Sequence, residues 1–181
     1  MSRYEIRFSG SGGQGLILAG VIFAEAATIY DKKNAVQSQS YGPEARGGAS
    51  KSEVIISDQT IDFPKATSID LQLSLTQESC TKYYKDVKPD GTLLVDEDFV
   101  KKVPSGTFKV IRLPIIRTAA EEIGKSFVAN IVALGAIAAI TGQVTYDAVE
   151  KAVLSRVPKG TEEMNKKALK AGYDLAKARM N

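Results

Sequence analysis

The chain has 181 residues, 44% of them hydrophobic and 25% charged, with a net charge of +3. That length suits one domain, residues 1–181, with a sizeable buried core, and so small a charge gives no ground for a nucleic-acid partner. No histidine and a single cysteine, Cys80, exclude histidine bases, histidine metal ligands, an internal disulfide and an iron–sulfur cluster held by this chain alone.

The predicted elements begin with Tyr4–Phe8, whose alternating side chains read as a strand. The glycine cluster Gly10-Ser11-Gly12-Gly13-Gln14-Gly15 follows, and then Leu16, Ala19, Gly20, Phe23, Ala24 and Ala27 recur at helical spacing. Strands are expected at 34–39, 53–57, 70–76, 92–96 and 107–113, with a loop at 40–50 and a short helix at 77–84. Pro89-Asp90-Gly91 reads as a turn in which glycine takes a positive φ. From Arg117 onward the pattern is mainly helical. The apolar segment 127–140 predicts a buried helix, Thr145 an N-cap, and Pro158-Lys159-Gly160 a break. The last helix should pack through Met164, Ala168, Ala171, Leu175 and Ala178. Strands alternating with helices predict an α/β fold: a mainly parallel sheet with helices on both faces, a Rossmann-like three-layer sandwich with a helical C-terminal third. The segment 127–140 is too short for the roughly 20 residues of a membrane span. Met1–Phe8 lacks the charged-then-apolar pattern of a leader. A cytoplasmic protein without membrane contact is expected.

Two stretches carry candidate chemistry. Glycines between a strand and a helix let the backbone turn sharply and approach an anion, while the helix N-terminus offers unpaired N–H groups. Gly10, Gly12 and Gly15 match the G-x-G-x-x-G spacing of dinucleotide sites. The acidic residue such a site needs at the end of its second strand is missing, because that strand ends in Ser38-Gln39-Ser40. Three uses stay open: a structural turn, a seat for an anion or a partner segment, and a dinucleotide site in a stand-alone nucleotide-binding domain or sensor. The second stretch is Ser40-Tyr41-Gly42-Pro43-Glu44-Ala45-Arg46-Gly47-Gly48. The Arg46 guanidinium between small residues suits two-point recognition of phosphate or carboxylate. Tyr41 offers a ring to stack on, and Glu44 either pairs with Arg46 or faces a partner. If the loop follows the second strand, Arg46 and the glycine turn face one crevice.

Together the two stretches resemble the gamma subunit of 2-oxoacid:ferredoxin oxidoreductases, the family acting on pyruvate, 2-ketoisovalerate and 2-oxoglutarate. It pairs a G-x-G-G-Q-G turn with an S-Y-G-x-E-x-R-G-G loop. Asn130 with Leu134-Gly135-Ala136, and Glu163 with Asn165 and Gly172, extend the likeness over nearly the whole chain. The resemblance implies a non-redox subunit, inactive alone, in a complex that converts a 2-oxoacid, 2-oxoglutarate first among them, to an acyl-CoA while reducing ferredoxin. It implies alpha and beta partner chains, with a ferredoxin-like delta chain as a further candidate. Thiamine diphosphate and the iron–sulfur clusters belong on those partners. Fused relatives associate the equivalent domain with coenzyme A. Gly10, Gly12, Gly13, Gln14, Gly15, Tyr41, Glu44, Arg46 and Gly47 are therefore the expected contacts to coenzyme A or to a partner's active centre. No residue here is expected to be a catalytic acid or base, and none a metal ligand. Glu121-Glu122 and the basic terminal helix read as solvated faces, and Cys80 as a small packing residue.

Overall fold

Alternation in the first strand sends successive side chains to opposite faces of a sheet, and here both faces are covered. The computed structural model describes residues 3–40 and 48–181. Its strands are β1 (Tyr4–Ser11), β2 (Asn34–Gln39), β3 (Ala49–Ser57), β4 (Ile69–Ser74), β5 (Val87–Asp96) and β6 (Lys109–Leu113), in the order β2-β3-β1-β4-β5-β6. β1, β4, β5 and β6 run parallel, β3 runs against β1, and β2 runs against β3. All strands but β3 therefore share a direction, and the sheet is mainly parallel as expected. The reversal of β3 follows from a connection between β2 and β3 too short to hold a crossover helix.

The helices are α1 (Leu16–Glu25), prolonged by a π-helical turn at Ala26–Tyr30, α2 (Gln77–Tyr83), α3 (Ile115–Thr118), α4 (Ala129–Thr141), α5 (Tyr146–Arg156) and α6 (Glu162–Met180). Ile6 and Phe8 of β1, with Leu71 and Leu73 of β4, join a large apolar core with α1, α4 and α5. Phe8 meets Phe23 of α1 edge to face at 6.1 Å. Each such fully buried side chain stabilises the fold by about 1.5–3 kcal/mol. Among the described residues the opposite face holds a smaller apolar cluster of Cys80, Leu93, Val95 and Val100. Beside it lies a buried polar layer of Arg7, Ser9, Gln72 and Ser74.

Arg7 is 2% exposed and is fully paired. It bonds Glu53 of β3 at 2.9 Å, Asp86 at 2.8 Å and the Tyr83 carbonyl at 3.2 Å, and its guanidinium stands 5.3 Å from the Tyr83 ring centroid. A buried charge survives only with such partners. The network therefore fixes α2 and β3 relative to β1, and the Tyr83 hydroxyl extends it by donating to the Ala49 carbonyl at the start of β3.

Several expectations need correction. Pro89-Asp90-Gly91 is not a turn between elements but part of β5, in a bulge where Lys88–Gly91 stand against the single residue Asp70 of β4. Gly91 does not have a positive φ. A Cβ there would press on the Ile69 and Asp70 carbonyl oxygens at 3.1 Å, so glycine suits the bulge by its lack of a side chain. β3 begins at Ala49, four residues before the expected start. The buried helix begins at Ala129 after a 3-10 turn at Ser126–Val128, leaving Phe127 exposed. The buried stripe of α6 is Asn165, Ala168, Leu169, Gly172 and Ala176, while Ala178 is exposed. Glycine is needed on that face where the helices cross, because there α4 and α6 pack backbone against backbone. An added Cβ on Gly172 would lie 1.8 Å from the Val132 carbonyl oxygen, and one on Gly135 would lie 2.0 Å from that of Leu169. Thr145 caps α5 as expected, accepting from the Ala148 N–H.

Gly172→Ala is predicted to force the two helices apart and cost about 2–3 kcal/mol, read as a lower urea midpoint for the purified chain. An unchanged midpoint would show that the crossing has slack.

Candidate functional site

In parallel sheets, ligand sites form beyond the carboxyl ends of the strands, where successive connections leave for opposite faces. β1 feeds α1 on one face, and β4 feeds α2 on the other. The glycine turn lies at this edge, and its glycines do different work. Gly10 is still in β1 opposite Ser50. A Cβ there would lie 2.2 Å from the Gln14 Oε1 atom, which folds back to accept from the Ser11 N–H at 2.8 Å. That oxygen is thus committed inside the turn, and Gln14 shapes the loop. Gly13 has φ 86° with nothing near its missing Cβ, and Gly15 has φ 72° as the residue preceding α1. Gly12 and Gly13 are exposed, and among the described residues nothing accepts from their N–H groups.

Gly15 is clasped. The Asn130 amide, at the start of α4 and 6% exposed, donates to the Gly15 carbonyl at 3.2 Å. The same carbonyl accepts from Ala19 in the first turn of α1. Sequence reasoning met Asn130 only through the family likeness, and nothing in its spacing points across the fold to Gly15.

The arginine loop's own residues, including Tyr41, Glu44, Arg46 and Gly47, lie outside the described residues. Its two stems do not. Ser11 of β1 pairs with Ala49, Gln39 pairs with Ser52, and the Ser40 N–H bonds the Lys51 carbonyl at 3.3 Å. The loop therefore leaves and re-enters the sheet beside the glycine turn. A hollow of about 350 Å³ lies between, lined by Ser11–Gly13, Gly15–Leu18, Ser40, Ser50 and Lys51. A second hollow, about 340 Å³, lies on the far side of Gly13 against Phe99, Ile116 and Phe127. Phe127 and Phe99 are 68% and 54% exposed.

Asp96, at the carboxyl end of β5 and fully buried, organises that second wall. Its carboxylate accepts from the N–H groups of Asp98, Phe99 and Ile116 at 2.8–3.1 Å. Burial pushes its pKa up, and those three donors pull it back. Cys80 is fully buried and its thiol is pushed up by desolvation, the setting of an unreactive packing residue. Glu121 and Glu122 are exposed. Among the described residues no group of three histidine, cysteine or acidic side chains is placed to hold a metal ion, and no helix is long and apolar enough to cross a membrane.

The dinucleotide reading meets a topological obstacle. In that fold the second strand lies beside the first and carries the ribose-binding acid. Here antiparallel β3 occupies that place, and β2 is displaced to the sheet edge.

Comparison with known proteins agrees with the geometry. The pyruvate ferredoxin/flavodoxin oxidoreductase family model matches residues 5–175, and the chain belongs to that family. The relatives narrow the class. The chain is 55% identical to the 2-oxoglutarate synthase subunit KorC of Methanocaldococcus jannaschii, across 97% of this chain and 95% of that one. It superposes with a TM-score of 0.93 on the gamma subunit of the keto/oxoacid ferredoxin oxidoreductase of Geobacter sulfurreducens PCA, at 59% identity and 99% coverage of both. The fold also recurs, at 21% identity and a TM-score of 0.86, within the 2-oxoglutarate:ferredoxin oxidoreductase of Magnetococcus marinus, whose structure holds 2-oxoglutarate, coenzyme A and succinyl-CoA. There the match covers 98% of this chain and 32% of the other.

The roles of the two left-handed glycines separate in a stability test. Gly13→Ala is predicted to cost about 1 kcal/mol, the left-handed penalty alone. Gly15→Ala should cost about 3 kcal/mol, because its Cβ would also press on Asn130. Equal losses in denaturant midpoint would contradict the clasp.

Proposed function

We propose that this chain is the gamma subunit of a 2-oxoacid:ferredoxin oxidoreductase that acts on 2-oxoglutarate, and that its glycine turn and arginine loop together receive coenzyme A. The observation that carries the first part is the 55% identity to a 2-oxoglutarate synthase subunit over nearly the full length of both chains. On this reading all 181 residues act as one domain in the cytoplasm, inactive alone. Alpha and beta chains, with a ferredoxin-like delta chain, bring thiamine diphosphate and the iron–sulfur clusters. This chain's own side chains do not suit a cluster, since its single thiol is buried in the sheet's second face.

The observation behind the coenzyme A part is the meeting of two features at one edge. The Gly12 and Gly13 N–H groups and the first turn of α1 present unpaired donors and the positive end of a helix dipole. The loop stems reach the same hollow, and Arg46 lies two residues before Gly48. A diphosphate bridge on the N–H groups, gripped by the Arg46 guanidinium, uses both. Tyr41, Glu44 and Gly47 complete the loop as contacts to coenzyme A or to the rim of a partner's active centre. Gly10, Gln14 and Gly15 act by shaping the turn. The coenzyme A bound in the Magnetococcus marinus enzyme motivates the choice of anion. In the assembled enzyme the partner chains decarboxylate the oxoacid and pass its electrons to ferredoxin. This chain holds the acceptor of the acyl group in place.

Arg46→Ala in the reconstituted complex is predicted to raise the coenzyme A KM at least about tenfold, the scale of one lost charge-assisted contact. The 2-oxoglutarate KM should stay within about twofold. Unchanged coenzyme A KM and turnover would remove the loop's role. Failure of partner chains to co-purify from the native host would contradict the subunit assignment.

A further inference from the structure

We infer that Asn130 is a positioning residue for the glycine turn, holding its N–H groups aimed at the hollow through the Gly15 carbonyl. Its effect on kinetics rests on the coenzyme A reading; its effect on the turn does not.

The turn has little else to fix it. From Ser11 to Gly15 its internal bonds are the Gln14 side chain on the Ser11 N–H and a long 3.4 Å bond from the Gln14 N–H to the Ser11 carbonyl. Both hold its first half. The second half carries two left-handed glycines, and glycine is the residue that leaves a left-handed conformation most cheaply. The Asn130 amide is the one side-chain group among the described residues that bonds Gly15. It approaches where a Cβ would stand, 2.5 Å from that missing atom. The contact therefore requires glycine at 15 and at the same time blocks the turn from relaxing into the space that glycine leaves.

Asn130 is itself held firmly. Its Oδ1 accepts from the Ile131 N–H at 3.0 Å, and it starts a helix whose residues Ala129–Ala139 are buried throughout. That helix is locked on α6 by the reciprocal glycine contacts at Gly135 and Gly172. Three distant segments of the sequence thus form one mechanical path: α6 sets α4, α4 sets Asn130, and Asn130 sets Gly15. Only its last member, Gly15, lines the hollow.

The test uses Asn130→Asp, which keeps the oxygen for Ile131 and loses the N–H donor, with Asn130→Ala as a second variant should the buried carboxylate disturb folding. Native-state amide exchange on the purified chain should show protection falling about fivefold to tenfold at Ser11, Gln14 and Ala19, whose N–H groups are bonded within the turn or to the Gly15 carbonyl. Protection in β4 and α6 should stay as in the wild type. In the reconstituted complex the same variant should raise the coenzyme A KM about fivefold to tenfold, with kcat within about twofold. Wild-type protection at the turn, or a loss spread evenly over the whole chain, would overturn the positioning role. Loss of protection at the turn with an unmoved coenzyme A KM would support that role and instead count against coenzyme A as the ligand.

Discussion

Between the end of β1 at Ser11 and the start of α1 at Leu16, the chain must reverse over three glycines, and much of the molecule serves that reversal. Side chains are excluded for different reasons at each point. Gly10 makes room for Gln14, Gly13 bends freely in solvent, and Gly15 faces an amide delivered from the far end of the sequence. The outcome is a short run of backbone donors open to solvent at a helix N-terminus, the geometry that favours anions. A turn this poor in side chains gains much of its rigidity from its surroundings.

Those surroundings are asymmetric. One face of the sheet is a deep apolar core, dispersive and tolerant in direction. The other carries Arg7 with Glu53, Asp86 and Gln72 in a network whose bonds have direction. Because Arg7 shares β1 with the glycine turn and Glu53 shares β3 with the loop's re-entry point, the network fixes the spacing of the two strands that frame the hollow. Removal of one partner from such a buried set typically costs about 3–5 kcal/mol. Here the polar face supplies register more than net stability. On the remaining side Asp96 gathers two chain segments below Phe99 and Ile116. Each of these walls is thus set by a buried polar residue that does not itself line the hollow.

Much of this was legible in the sequence, unevenly. Strand positions and the strand–glycine–helix order follow from alternation and helical spacing, which report burial directly. Gly135 and Gly172 stand out as glycines inside helices, where the residue is unfavourable, yet only the crossing of α4 on α6 explains them. The reversed β3 was hidden because alternation tells which face a residue takes and not which way the strand runs. The bulge at Lys88–Gly91 read as a turn, since the same residues serve both and only the neighbouring strand decides. Arg7 and Asp96 look like surface charges by type, and their burial depends on partners dozens of residues away. Of the candidate site residues, the glycines were readable by local rules, Asn130 was not, and Tyr41, Glu44, Arg46 and Gly47 lie outside the described residues.

On the proposed function, this subunit does no redox chemistry but offers a glycine-lined hollow to coenzyme A beside a reaction centre owned by its partners. The most direct measurement is a structure of the assembled complex with coenzyme A bound. The account predicts the diphosphate within hydrogen-bonding distance of the Gly12 and Gly13 N–H groups, with the Arg46 guanidinium on the same phosphates. Coenzyme A seated wholly on another chain, with the glycine turn filled by a partner's side chain or by solvent, would contradict it.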